Sequence, residues 1–290
     1  MKPAAFRYVA PADIDEAVAV LAEHGGDAKV LAGGQSLIPL MNMRMSRPTA
    51  LVDVCRIASL SGVSANGDLT IGAATRQAAV AASPLVADAW PVLTEALSHV
   101  GHPATRSRGT FGGSIAHADP SAEIPAVLLA LGGEVVAKGP DGERVIPADD
   151  LFIAHFTTDL AEDEVLTEVR LPRREPGVVS VFSEVVRRRG DFALVGVVAV
   201  AQLDDDKRVR SSRIVLFGVG EVPFRASGVE DLIRGQQLDD SIVAEAARHA
   251  AQEIDPIPDV QGSVEYRREL AADRVGLALR QLTTQEGVPA

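Results

Sequence analysis

The sequence predicts an α+β protein of two domains, and three observations carry that prediction. Helix-like and strand-like segments alternate through the first 175 residues, a cluster of proline, arginine and glycine at 172–177 breaks the pattern, and strands followed by helices fill the rest. The division expected from this is 1–175, with subdomains of about 1–56 and 57–175, and then 176–290. A chain of 290 residues is long enough for two domains.

Each element has a local cause. Asp13 is a good N-cap, and Glu16 three residues on completes a capping-box pattern. Ile14, Ala17, Val18 and Leu21 then share one helical face, and Gly25-Gly26 ends the helix. Strands at 29–32 and 51–54 complete a small α/β unit. Residues 69–72 read as a strand, 73–82 as a helix up to Ser83-Pro84, and 90–99 as an apolar-faced helix. The stretch 101–120, rich in Gly, Ser, Thr, Arg and His, reads as a functional loop. A helix resumes at 123–131, and 134–137 with 143–146 make a hairpin about Gly139-Pro140-Asp141-Gly142. Beyond the boundary, 182–186, 193–203 and 209–218 read as strands, with 204–207 turning between the last two. Helices follow at 227–234, 241–252 and 263–282.

Composition excludes several functions. The chain is 47% apolar but only 4% aromatic, so its core is aliphatic. Its longest apolar run, 192–203, is too short to span a bilayer, and the N-terminus has no secretory apolar stretch. Cys55 is the sole cysteine, which rules out an internal disulfide and a zinc or iron–sulfur site built from this chain's thiolates alone. A reducing cytoplasm is the expected compartment. A net charge of -12 repels phosphate backbones and argues against nucleic acid as a partner.

Two glycine-rich segments carry the chemistry: Ala32-Gly33-Gly34-Gln35-Ser36, directly after a strand, and Gly109-Thr110-Phe111-Gly112-Gly113-Ser114. A pyrophosphate needs backbone N–H groups at close range, where a Cβ would block its approach, and Ser36, Thr110 and Ser114 add hydroxyls. The competing reading is a pair of tight turns. A Rossmann site is excluded, because no G-x-G-x-x-G occurs; the nearest string, Gly218-Val219-Gly220-Glu221-Val222-Pro223, ends in proline and follows no βαβ unit.

The run from Leu31 to Met41 with Arg44, and the run from Arg106 to Pro120, resemble the flavin motifs of one family. It is the FAD-binding medium subunit of carbon monoxide dehydrogenase and its relatives, a domain also carried by xanthine dehydrogenase. The resemblance continues through 188–193, 223–226 and 262–268, nearly the whole chain in order. It implies a p-cresol methylhydroxylase-type FAD-binding domain of two α/β subdomains, followed by a C-terminal antiparallel sheet with helices. It also implies that Lys29, Val30, Leu31, Ala32, Gly33, Gly34, Gln35 and Ser36, together with Thr110, Phe111, Gly112, Gly113 and Ser114, wrap the FAD pyrophosphate with main-chain donors.

Further roles follow from the same resemblance. His117 sits near the phosphates, or is a loop residue touching no ligand; Asp119 belongs to the turn before Pro120. Glu123 faces the adenosine ribose, or is a helix-start carboxylate favoured by the macrodipole. Leu166 and Phe192 flank the isoalloxazine ring, or are core. Xanthine dehydrogenase-type members carry a flavin-contacting Lys where this chain has 182–185 with no Lys, and Thr105 and Ser107 also depart from the family pattern. The run 187–189, three arginines on an acidic protein, is a solvated face, a docking point for a partner, or a partner for Asp191.

The resemblance thus implies an electron-transfer subunit, with a large subunit holding the molybdenum cofactor and a small subunit holding [2Fe-2S] clusters. The implied assembly is a dimer of heterotrimers. The competing functions are a self-contained flavin oxidoreductase of the same superfamily, a non-catalytic assembly subunit, and a small-ligand binding module. Substrate and terminal acceptor are open at this point.

Overall fold

The computed structural model describes residues 2–285. Three sheets organise them, beside a small two-stranded one of Phe152–Ala154 and Thr157–Thr158. The first is parallel, with Ala50–Asp53 between Arg7–Val9 and Ala28–Leu31. Helix Ile14–His24 covers it with Ala17, Val18 and Leu21, and the Asp13 side chain accepts from the Glu16 N–H at 2.9 Å, as the capping pattern predicts.

The second sheet is antiparallel, in the order Val63–Asn66, Asp68–Gly72, Val165–Leu171, Glu134–Gly139, Gly142–Pro147. Its central strand, Val165–Leu171, escapes the sequence reading, although Val165, Thr167, Val169 and Leu171 alternate as a strand requires. Between Asp68–Gly72 and Glu134–Gly139 the chain runs through a series of short helices. Residues 73–82, read as one helix, prove to be helix only at Gln77–Ala81, and Pro84 opens a further helix, Pro84–Ala89. The stretch 101–120 is not a loop: it contains Pro103–Arg108 and Phe111–His117. Pro103 occupies the first helical turn, where its missing N–H is harmless, and Thr110 caps the second helix.

The third sheet is antiparallel and runs Val178–Val185, Val195–Leu203, Val209–Phe217, Phe224–Arg225. One face, through Val195, Val197, Ala199 and Ala201, packs under helices Asp240–Glu253 and Val264–Thr284. The other, through Phe182, Val198, Val215 and Phe217, joins the core of the second sheet. Helix Glu123–Ala130 belongs to that shared core, and all eight of its residues are buried. Its near-continuous apolar sequence is what a helix surrounded by protein requires.

Two arginines tie the C-terminal helix to this body. Arg267, buried, donates to Leu194 O and Gly218 O and pairs with Asp259. The three arginines of the run 187–189 are all exposed, as a solvated face requires, and Arg187 also donates to Val260 O and Gln261 O. No helix among the described residues is long and apolar enough to cross a membrane.

Candidate functional site

Strand Ala28–Leu31 ends where the chain turns through Ala32–Ser36 into helix Leu37–Asn42. At this turn lies a cavity of about 470 Å³, lined by Leu31, Ala32, Gly33, Gly34 and Gln35 with Asp53, Cys55, Arg76 and Arg108 among the facing residues. Gly34 has φ +69°, a left-handed conformation that an L side chain resists. Among the described residues, no group accepts from the main-chain N–H groups of Gly33, Gly34, Gln35 or Ser36. Four successive free donors around a left-handed residue form an anion-binding concavity.

The second glycine-rich segment does a different job. The Phe111 and Gly112 N–H groups donate to Thr75 O and Ala73 O, both at 2.9 Å. Gly113 N–H donates to the Thr110 hydroxyl at 3.1 Å, and Ser114 N–H to Thr110 O at 3.3 Å. The expectation that 110–114 wraps a pyrophosphate with main-chain donors therefore needs correcting: four of those donors are engaged inside the chain. What brings the two segments together is contact. A Cβ on Gly33 would lie 2.5 Å from Arg108 O and 2.6 Å from Gly109 Cα, and one on Gly113 would lie 3.1 Å from Ala32 Cβ. The second segment buttresses the first, and only the Thr110 N–H, beside Gly33, lacks an acceptor there among the described residues.

Charge suits an anion at this place. Arg76 and Arg108 line the cavity, and Arg76 donates to Arg108 O, fixing one arginine against the backbone of the other. Among the described residues Asp53 is the one carboxylate lining it; it accepts from Tyr8 OH at 2.5 Å and from Cys55 N–H at 2.9 Å. Burial pushes the Cys55 thiol up, so it stays protonated and adds no negative charge. Asp53, Cys55, Arg76 and Arg108 escaped the sequence reading of the site. Arg108 lay inside the second motif, whereas the others are distant in sequence and carry no local signal.

The remaining expected residues are dispersed. Lys29 and Val30 belong to the strand and do not line the cavity. Phe111 is core. His117 ends its helix stacked on Phe156, ring centroids 4.9 Å apart, and burial lowers its pKa. Leu166 is buried in the shared core, while Phe192 is 52% exposed on the loop after the arginine run. Glu123 does not line the cavity either. It starts the wholly buried helix, and burial pushes its carboxyl up to about 8, with Glu184 and Asp119 adding to the rise and Arg106 opposing it.

Comparison with known proteins explains this arrangement. Residues 4–174 match the model of the FAD binding domain in molybdopterin dehydrogenase, and residues 180–282 match the CO dehydrogenase flavoprotein C-terminal domain. The chain belongs to this flavoprotein family. It is 40% identical to the 6-hydroxypseudooxynicotine dehydrogenase complex subunit alpha of Paenarthrobacter nicotinovorans, over 93% of this chain and 92% of that one. Its fold is similar to a chain of carbon monoxide dehydrogenase from Hydrogenophaga pseudoflava, with a TM-score of 0.94, 36% identity, and 97% and 98% of the two chains covered. It is equally similar to a chain of quinoline 2-oxidoreductase from Pseudomonas putida 86, with a TM-score of 0.93, 37% identity, and 98% and 99% covered. An FAD pyrophosphate fits the concavity, because the N–H donors of Gly33, Gly34 and Gln35, free of any acceptor among the described residues, and the cationic Arg76 and Arg108 line one cavity.

Proposed function

We propose that this chain is the FAD-carrying, electron-transferring subunit of a molybdenum hydroxylase complex. The observation that carries the reading is the row of four N–H groups from Gly33 to Ser36 with no acceptor among the described residues, beside a cavity that Gly33, Gly34 and Gln35 line together with Arg76 and Arg108. Membership of the flavoprotein family supports it. When bound, FAD accepts electrons one at a time and passes on two, the chemistry needed between iron–sulfur clusters and a terminal acceptor.

In this reading Ala32–Ser36 holds the pyrophosphate, with Thr110 at its edge and Phe111–Ser114 holding that cradle in shape. Asp53, rather than Glu123, takes a ribose hydroxyl, since it is the carboxylate lining the cavity. The ring lies toward Leu166 and Phe192, across the junction between a domain of 1–175 and one of 176–290. The partners are a large subunit with the molybdenum cofactor and a small subunit with [2Fe-2S] clusters, assembled as a cytoplasmic dimer of heterotrimers. Similar chains serve complexes named for a nicotine derivative, carbon monoxide and quinoline, so substrate choice rests with the large subunit.

The test is to purify the chain alone and together with the products of its neighbouring reading frames. The expected result is a yellow chain with stoichiometric FAD that co-purifies with an iron–sulfur and a molybdenum subunit, and Asp53→Asn binding FAD about 10-fold more weakly, as loss of one charge-assisted hydrogen bond implies. A colourless chain that takes up no added FAD contradicts the proposal. A chain that oxidises a small substrate without partners favours the self-contained oxidoreductase.

A further inference from the structure

The first sheet is parallel, and ligands of open parallel sheets sit beyond the carboxyl ends of the strands. Two of its strands end at the cavity. Ala28–Leu31 runs into the glycine-rich turn, and its neighbour Ala50–Asp53 ends on Asp53, paired in register with Leu31. Arg7–Val9 lies on the other side of Ala50–Asp53 and brings Tyr8 with it. The Tyr8 hydroxyl donates to Asp53 Oδ2 at 2.5 Å, and the Cys55 N–H donates to Asp53 Oδ1 at 2.9 Å.

Each oxygen of Asp53 thus has one donor from the chain. An ionised carboxylate accepts about four hydrogen bonds, two at each oxygen, so one position remains at each. Two acceptors held in a fixed orientation match the neighbouring hydroxyls of a cis-diol, which donate side by side. The Tyr8 bond has little to do with holding the fold. Tyr8 is 52% exposed, and a hydrogen bond between groups that water also reaches adds little to stability. Its effect is on Asp53. Arg76 and Arg108 line the same cavity, and a carboxylate free to turn would pair with one of them and cancel the charge that suits an anion. Held by Tyr8 and Cys55, Asp53 forms no ion pair with either among the described residues. The hydrogen bond to Asp53 also raises the pKa of the phenol, so Tyr8 stays a donor at neutral pH.

We propose that Tyr8 is a positioning residue that, with the Cys55 N–H, holds Asp53 as a clamp for the cis-diol of the adenosine ribose. The clamp rests on the reading of this chain as an FAD carrier and of Asp53 as the ribose acceptor. It adds the residue that sets Asp53 and the chemical group that the pair recognises. Arg76 and Arg108 meet the diphosphate, the main-chain donors of the glycine turn share it, and Asp53 selects a tail that carries both ribose hydroxyls.

The experiment uses the full chain, stripped of cofactor and titrated with FAD and with its 2′-deoxyadenosine analogue, binding being read from the change in flavin fluorescence. Wild type is expected to bind FAD about 10-fold more tightly than the analogue, as loss of one charge-assisted hydrogen bond implies. Tyr8→Phe should bind FAD about 5-fold more weakly than wild type and prefer it over the analogue by less than about 3-fold. Its denaturation midpoint without cofactor should match that of wild type, which separates positioning from a structural role. In the Asp53→Asn background, Tyr8→Phe should change FAD affinity by less than about 2-fold, because both substitutions act through one carboxylate. Equal affinity of wild type for FAD and the analogue overturns the clamp without recourse to any variant. A Tyr8→Phe chain that keeps the full wild-type preference overturns it too. Either result leaves the FAD reading intact, whereas a wild-type chain that takes up no FAD overturns both.

Discussion

The two glycine-rich segments look interchangeable in sequence and are opposite in structure. In 33–36 the main-chain donors have no partner within the described residues, whereas in 111–114 every one is engaged, by Thr75, Ala73 or Thr110. The first segment needs glycine at 34 for a left-handed turn; the second needs it at 112 and 113 because other chain segments press against it. Glycine therefore marks closeness of approach, and the approaching partner can be a ligand or the protein itself. Free donors make a cradle. Engaged donors make the wall behind it.

Substitutions separate the two roles. The largest effect is expected for Gly33→Val, because its side chain meets Arg108 O and Gly109 Cα, backbone that cannot swing aside. It should weaken FAD binding more than 100-fold and destabilise the chain by about 3 kcal/mol, read from flavin titration and chemical denaturation. Next comes Glu123, downstream of the second segment. Its folded pKa of about 8 lies above the unfolded 4.5, so wild-type stability is greatest when this group is protonated and declines as pH rises through that window. Glu123→Gln should flatten the decline and leave the variant more stable than wild type at pH above about 8, by about 2–3 kcal/mol. Denaturation midpoints of the cofactor-free chain between acid and mildly alkaline pH would check this.

The finest comparison pairs Thr110→Val with Gly34→Ala. Thr110→Val removes the cap on helix Phe111–His117 and should cost about 1 kcal/mol of stability while FAD affinity changes less than about 3-fold. Gly34→Ala forces a Cβ into a positive-φ turn; it should cost about 1 kcal/mol too, but with affinity falling about 10-fold. Equal effects of both changes on binding would erase the distinction between cradle and wall.

Much of the architecture was legible because it depends on local chemistry. The Asp13 cap, the hairpin about Pro140-Asp141 and the long strand Val195–Leu203 all announce themselves through capping, turn residues or continuous apolar sequence. The strand Val165–Leu171 was missed because Glu168 and Arg170 interrupt its apolar residues, although they pair with each other on the partly exposed face of an otherwise buried strand. Residues 101–120 read as a loop because glycine and hydroxyl residues hide short helices that tertiary hydrogen bonds hold. At the site, motif and cradle were visible, but Asp53, Arg76 and the burial of Glu123 depend on which segments the fold brings together.

The central claim is that the N–H groups of Gly33, Gly34, Gln35 and Ser36 receive the diphosphate of FAD. Amide-resolved nuclear magnetic resonance of the labelled chain, titrated with FAD, tests it most directly. These four amides should move downfield at saturation, as donors to an anion do, while those of Phe111 and Gly112, already bonded to Thr75 and Ala73, should keep their shifts. Saturation with FAD that leaves the four amides unmoved would contradict the account.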